Sequence, residues 1–574
     1  MSISEQNGGS VADRVAAACR RHGVEVVFGQ CNPVRFHLAV PKQGMRNIGY
    51  RTENAGGAMA DGYARISRQT AVVTAQNGPA ATLLVAPLAE ALKSSVPIVA
   101  LVQDVPVALR ERNAFQEYDH LKLFAGCAKW VGRIDTADRV DEWVDMAFRA
   151  ATSGRCGPAV LLLPVNIADS EATDAPTRRA NNGRFPLDPV VPAPERVREA
   201  ARLLMAAQRP LVIAGGGVHL SGAAQTLAAM QERFGLPVAT TMMGKGAVSE
   251  LHPLSLGVIG NVLAVGAPAY EARSLIADAD VVLLVGTRTA ANGTDTWAQY
   301  PRHARFIHLD IDPVEIDRNY EALRLVGDAR LGLEALAETM AHHEPGLRNA
   351  GRAALQERIA SSRSEARRLQ QGVRTEDRLP IRPERLMHEL EQLLPAEAIV
   401  TADASYASVW TTLCLTARRA GDRFLVPRGL AGLGWGLPLA MGAQLAQPRA
   451  TVVSVVGDGG FGHVWSELET IRRHGIKLVL LVLNNGVLGM QEDMEVFRYG
   501  GRTDTRFERV DHAAVARACG LHGVTVEAPG ALRAALQDAL AADRATVIDV
   551  IVDPAACPPL TAYSSRPSQL GGGK

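Results

Sequence analysis

The chain lacks any long tract of like charge: 61 Lys+Arg stand against 60 Asp+Glu, a formal net charge of +1. That balance argues against a nucleic-acid or anionic-membrane surface, which shows as a patch of one sign. Paired cysteines are missing as well. The seven present (Cys19, Cys31, Cys127, Cys156, Cys414, Cys519, Cys557) are odd in number, scattered, and form no C-x-x-C. Free thiols in a reducing compartment fit this usage, so a cytoplasmic protein is expected. The opening residues, MSISEQNGGSVADR, hold an early acid and no apolar h-region, unlike a signal peptide. No uncharged apolar run reads as a membrane span of ~18 residues or more. Gly429–Ala446 comes nearest, but five glycines and a proline interrupt it.

What the chain does have is globular material: 47% hydrophobic residues, with 53 Gly and 31 Pro spread along 574 positions. At about 150 residues per domain this length suggests three to four domains. Short β-rich runs alternate with helical patterns in three stretches. The first holds VEVVFG, TAVVTAQ, VPIVALVQ and PAVLLLPV; the second RPLVIAGGG, LPVATT, DVVLLVG and RFIHLDI; the third AIVTADAS, ATVVSVVGDGG, KLVLLVLNNG and ATVIDVIVD. Continuous apolar runs with room for crossover helices predict parallel strands covered on both faces. A polar, proline-studded stretch, SEATDAPTRRANNGRFPLDPVVPAP, reads as one linker, and the charged helical segment after HHEPG as another. The fold class expected is α/β: three domains over 1–180, 190–340 and 375–565, each a parallel sheet with helices on both faces, followed by a mobile tail, SSRPSQLGGGK.

The strongest chemical signal is VVSVVGDGGFGHVWSELETIRRHGIKLVLLVLNNG. One buried strand ends in Gly457-Asp458-Gly459-Gly460, and after a helix the next ends in Asn484-Asn485-Gly486. Both clusters fall at carboxyl ends of neighbouring strands, where open α/β sheets bind ligands. A carboxylate oxygen from Asp458 and an amide oxygen from Asn485 suit Mg²⁺ or Ca²⁺, with phosphate oxygens completing the shell. The glycines let backbone N–H groups approach a diphosphate, beside the positive end of the following helix.

This Gly-Asp-Gly through Asn-Asn arrangement resembles the thiamin diphosphate (ThDP) signature. Similarity to the acetolactate synthase-like members of that family covers nearly the whole chain. It is carried by Asn113-Ala114-Phe115-Gln116-Glu117 with Lys129 downstream, RPLVIAGGGV, TTMMGKGAVSELHPLSLGVIG and HLDIDPVEI. The resemblance implies that Asp458, Asn485 and the carbonyl of Val487 hold Mg²⁺, with Leu488, Gly489 and Met490 close to the cofactor. It implies that Ser405 and Tyr406 meet the diphosphate, and that Leu433 wedges the cofactor into a bent form while Ala431 and Leu433 present backbone to the pyrimidine. Glu53, after a short strand and before a Gly- and Ala-rich helix, is the implied partner of the pyrimidine nitrogen, with Gly78-Pro79 closing that pocket. Protonation there lets the adjacent amine take the C2 proton of the thiazolium. Phe115 and Gln116 approach the reacting carbon, and Gln116 is the candidate to hydrogen-bond substrate. A homodimer or homotetramer is implied, because Glu53 and Asp458 serve one site from different subunits.

Several segments depart from the family pattern. Where biosynthetic acetolactate synthases carry Arg-Phe-Asp-Asp-Arg for FAD, this chain has Gly286-Thr287-Arg288-Thr289-Ala290-Ala291-Asn292-Gly293-Thr294-Asp295; only Arg288 survives, which argues against FAD. The lid, Met490-Gln491-Glu492-Asp493-Met494-Glu495, has no Trp, and the first loop presents Gln30, Cys31 and Asn32 at the pocket mouth. Gly215-Gly216-Gly217 is a weak dinucleotide fingerprint, because Leu220 replaces the last glycine. It leaves the central domain open to FAD, to an ADP moiety such as that of coenzyme A, or to neither. The expected function is ThDP- and Mg²⁺-dependent cleavage or formation of a C–C bond on a 2-oxo acid or acyl donor. The alternatives are a 2-hydroxyacyl-CoA or oxalyl-CoA lyase, a sulfoacetaldehyde acetyltransferase, and a non-catalytic binding subunit.

Overall fold

A computed structural model describes residues 9–173, 178–342 and 348–563. The first sheet contains β1 (Val26–Phe28), β2 (Arg46–Ile48), β3 (Ala71–Ala75), β4 (Ile98–Asp104), β5 (Trp130–Arg133) and β6 (Ala159–Pro164), all parallel, in the order β2-β1-β3-β4-β6-β5. The second contains β7 (Pro210–Ala214), β8 (Val238–Thr240), β9 (Ser255–Val258), β10 (Val281–Val285), β11 (Arg305–Asp310) and β12 (Ala322–Val326), ordered β12-β11-β10-β7-β8-β9. The third contains β13 (Ile399–Ala402), β14 (Phe424–Leu425), β15 (Val452–Gly457), β16 (Val479–Asn484), β17 (His522–Val526) and β18 (Thr546–Ile551), ordered β14-β13-β15-β16-β18-β17. Three parallel sheets with helices are thus present, as the alternation of runs predicts.

The twelve apolar runs are the inner strands. β3, β6 and β16 are buried along their whole length, because helices cover both faces and no solvent side calls for alternation. All six edge strands are less regular in burial or very short, such as Ala322–Val326, where only one residue is fully buried, and Phe424–Leu425.

Counted within each unit, the first and third sheets share one strand order, 2-1-3-4-6-5. The central sheet has the order of dinucleotide-binding folds, with its reversal point between β7 and β10.

The charged helical segment read as the second linker is a single long helix, Arg348–Thr375, and it packs through Ile359, Ala366 and Val373, which are buried. The first linker docks rather than dangles: Phe185 is buried, and Gln69 bridges Arg184. His343 to Gly346 of HHEPG and the tail SSRPSQLGGGK lie outside the described residues. Among the described residues no helix is long and apolar enough to cross a membrane.

The first and third units meet through two helices, Glu53–Ser67 and Gly436–Ala446. Glycine makes their close approach possible. A Cβ at Gly442 would stand 1.9 Å from the Met59 carbonyl oxygen, and one at Gly62 would stand 2.2 Å from that of Leu439. Around this crossing Met59, Leu437, Leu439 and Met441 are fully buried, each contributing about 1.5–3 kcal/mol.

Candidate functional site

β15 delivers Asp458 to the first position of a short helix, Asp458–Phe461, at the carboxyl edge of the third sheet. Its Oδ1 accepts the Gly459 N–H at 3.0 Å and its Oδ2 the Gly486 N–H at 2.7 Å. Burial nevertheless pushes the carboxyl up to about 6, since no cationic side chain faces it. The two asparagines at the end of β16 divide their work. Asn484 is spent inward, donating to Val510 O and Asp549 Oδ1 at 2.9 Å each, whereas Asn485 lines the cleft beside Asp458.

Ser405, Tyr406, Leu433, Gly457, Gly459, Gly460, Val487, Leu488 and Gly489 line the same cleft; Ala431 and Met490 do not. At Gly457 an added Cβ would meet nothing within 4 Å, so the backbone fronts open space. Among the described residues no group of three or more His, Cys, Asp or Glu could hold a metal. Of the three acids lining the cleft, Asp403 is spent on backbone N–H groups and Asp553 lies beside Arg382 and Arg378, which leaves Asp458, the Asn485 amide and backbone carbonyls. These are too few for a protein-only Mg²⁺ site and fit a cation whose shell is finished by diphosphate oxygens.

Asp403, which the sequence reading passed over, ties this cleft to the Leu433 segment. Its fully buried carboxylate accepts the N–H groups of Ala404, Gly434 and Trp435 at 2.9, 3.0 and 3.0 Å. Gly460 has to be glycine here, because a Cβ would stand 1.9 Å from Asp403 Oδ2.

A second cluster occupies the carboxyl edge of the first sheet. Glu53 opens its helix after the cap Thr52 and is 8% exposed; burial pushes its carboxyl up, opposed only by its own backbone N–H. Gln76 Nε2 donates to Gln116 Oε1 at 2.9 Å, Asn32 Nδ2 to Gln76 Oε1 at 3.3 Å, and Gln30 Nε2 to Arg51 O at 2.9 Å. The loops after β1, β2, β3 and β4 therefore converge, bringing together Gln30, Cys31, Asn32, Gly78, Pro79 and Gln116, with Phe115 82% exposed at the rim. No residue of this cluster lines the Asp458 cleft of the same chain.

Two buried acids bind the units together, and neither was legible as a site residue. Glu467, which opens the helix following that of Asp458, accepts the N–H groups of Arg51 and Thr52 at 3.0 Å each. Glu90 accepts those of Gly429 at 2.7 Å and Ala431 at 3.2 Å, so the Ala431 N–H is already used and only its carbonyl is left for a ligand. Both read in sequence as ordinary helix charges, because their partners are backbone groups hundreds of residues away.

A cavity of about 550 Å³ opens at the reversal point of the central sheet. Gly216, Gly217, Gly286, Thr287 and Arg288 line it, together with Arg423 and Arg428. Gly217 packs against Gly286, where a Cβ would stand 2.6 Å from the Gly286 Cα. Among the described residues Arg288, Arg423 and Arg428 have no carboxylate partner within ion-pair distance, and burial pulls both Arg423 and Arg428 down to about 10.

Comparison with known proteins agrees with this layout. Residues 9–123 match the N-terminal TPP binding domain of thiamine pyrophosphate enzymes, 197–336 the central domain, and 403–550 the C-terminal TPP binding domain. The chain is 32% identical over 570 residues to a probable acetolactate synthase large subunit of Methanocaldococcus jannaschii, covering 97% of this chain and 94% of that one. It is 31% identical to an acetolactate synthase of Arthrospira platensis (93% and 92% covered), and 30% identical to the acetolactate synthase isozyme 2 large subunit of Escherichia coli (94% and 95%). With all three units matched in order and both strand-end clusters in place, the chain belongs to the thiamine pyrophosphate enzyme family.

Proposed function

We propose that this ThDP-dependent enzyme uses Mg²⁺ and acts on a 2-oxo acid, releasing CO₂ and passing the remaining acyl fragment to a proton or to a second carbonyl. The observation that carries the reading is the presence in one chain of two half-sites: a buried carboxyl at Glu53 and a diphosphate-fitting cleft at Asp458. In this reading 1–180 receives the pyrimidine, 375–565 the diphosphate, and 190–340 supports the central cavity.

Asp458, Asn485 and the Val487 carbonyl would hold Mg²⁺, while Ser405, Gly459 and Gly460 approach the diphosphate. Leu433, which lines the cleft, would pack against the bound cofactor. Glu53, kept protonated more readily by its burial, would hydrogen-bond the pyrimidine nitrogen. Gln116 presents its amide to the substrate. When bound, the cofactor supplies the electron sink for the bond that breaks. The protein's share is orientation and a dry site.

The half-sites of one chain do not meet, so the reading requires a homodimer or a higher assembly in which Glu53 of one copy faces the Asp458 cleft of another. Val34, Leu38, Leu83 and Phe115, at 53%, 64%, 44% and 82% exposure, form an apolar rim around the first cluster that a second copy would cover. Complementation tests this. Glu53→Gln and Asp458→Asn, each inactive alone, regain activity on mixing after partial unfolding and refolding, because a mixed dimer holds one intact site. No recovery would place both halves in one chain and defeat the proposal. A screen of 2-oxo acids with ThDP, Mg²⁺ and CO₂ detection identifies the donor.

One observation supports a second ligand. The three arginines that line the cavity without a carboxylate partner suit the diphosphate of an ADP-containing molecule. Thermal shifts with FAD, ADP and coenzyme A separate the flavin reading from the acyl-CoA reading. A yellow purified protein favours the first.

A further inference from the structure

We propose that His120 is a positioning residue: held by Asp104, it fixes Gly78 and so sets where Gln116 presents its amide. The catalytic half of this inference rests on the role given to Gln116 above; the geometric half stands by itself.

His120 opens the helix His120–Ala125, four residues after Gln116, and is fully buried. Its Nε2 accepts the Gly78 N–H at 3.0 Å. That bond exists only while Nε2 carries no proton, so the ring hydrogen sits on Nδ1, which points at Asp104 Oδ1 at 3.2 Å. Asp104 cannot turn away, since its Oδ2 meets Arg133 Nε at 2.8 Å and its Oδ1 also accepts the Val105 N–H at 3.0 Å. The carboxylate therefore selects the tautomer, and the tautomer selects the acceptor.

Gly78 transmits this choice. It has φ +67° and ψ −120°, a conformation open to glycine, and it caps the helix Pro79–Leu83. An added Cβ there would stand 2.8 Å from both Cβ and O of Gln116, so the two residues are in contact through backbone. Asn77 closes the zip by donating to Phe115 O at 3.2 Å and Gln116 O at 3.0 Å. A shift at Gly78 therefore moves Gln116, itself held at φ +57°. A merely space-filling ring would need neither the tautomer nor the acceptor.

Three variants separate these cases: His120→Leu fills the volume without an acceptor, His120→Gln keeps an amide oxygen able to reach Gly78, and Asp104→Asn removes the charge that orients the ring. Hydrogen–deuterium exchange of residues 76–84 and 113–119 is read by mass spectrometry. The kcat and KM for pyruvate, used as the probe 2-oxo acid, and ThDP affinity by tryptophan fluorescence are measured alongside. In His120→Leu exchange in both segments should quicken about tenfold or more. Its kcat/KM should fall about tenfold at nearly unchanged ThDP affinity. His120→Gln should recover most of both, and Asp104→Asn should move them in the direction of His120→Leu. Unchanged exchange in His120→Leu, or His120→Gln as impaired as His120→Leu, overturns the proposal. If His120→Leu does not fold, exchange in His120→Gln and Asp104→Asn decides it, with wild-type protection in Asp104→Asn counting against. If the unmodified enzyme is silent on pyruvate, pyruvate is excluded as its donor, and the exchange data still decide the role of His120.

Discussion

The Glu467 carboxylate accepts the backbone N–H of Thr52 at 3.0 Å, so a side chain of the third unit fixes the residue that caps the Glu53 helix. Its second oxygen accepts Thr470 Oγ1 at 2.8 Å, leaving no lone pair aimed at solvent. Glu467→Gln replaces one acceptor with an NH₂ facing backbone N–H groups. The expected cost is about 1–3 kcal/mol in urea unfolding, accompanied by slower C2 proton exchange in bound ThDP.

Glu53→Gln should leave ThDP binding within a few fold, because the diphosphate contacts lie elsewhere. Deuterium exchange at the thiazolium C2, followed by quenched-flow NMR, should slow by about 10²-fold or more. Wild-type exchange in this variant would remove Glu53 from its assigned role.

Asp458→Asn should abolish Mg²⁺-dependent ThDP binding in calorimetry while leaving the fold intact. The raised carboxyl, at about 6, gives the matching pH dependence in the native enzyme. As pH falls through that value the cation competes with a proton, so ThDP and Mg²⁺ affinity should weaken below about pH 6.

Acid should destabilise the protein through its buried histidines. Burial pulls His308 and His512 down to about 4 from an ordinary 6.5. Between those two values the unfolded chain binds more protons than the folded one, so stability is full above the upper value and falls as pH drops toward the lower. Each histidine accounts for about 3 kcal/mol across the window. Urea midpoints at pH 7 and pH 5 measure the fall, and His308→Gln should remove its share of the slope.

Gly442→Ala places a methyl 1.9 Å from the Met59 carbonyl oxygen and forces two helices apart. A loss of about 2 kcal/mol or more in stability is expected. Gly475, which caps the helix Glu467–His474 with open space where its Cβ would stand but φ +62°, tests backbone strain instead, and Gly475→Ala should cost about 1 kcal/mol.

The inner strands were legible because a parallel sheet covered on both faces demands unbroken apolar runs, as in VVSVVG and VLLVLN. Edge strands such as Ala322–Val326 and His522–Val526 carry polar positions at intervals and borrow their order from a neighbour already in place. Asp458 and Asn485 could be read because both fall at predictable strand ends. Glu90, Asp403, Glu467 and His120 could not, since each works on backbone N–H groups, which no side-chain pattern announces.

The glycine crossing between Glu53–Ser67 and Gly436–Ala446 joins the first and third units with no peptide bond between them. The two units therefore hold their relative position by direct backbone approach at Gly62 and Gly442, so a change in the central unit reaches this contact only through the helices that make it.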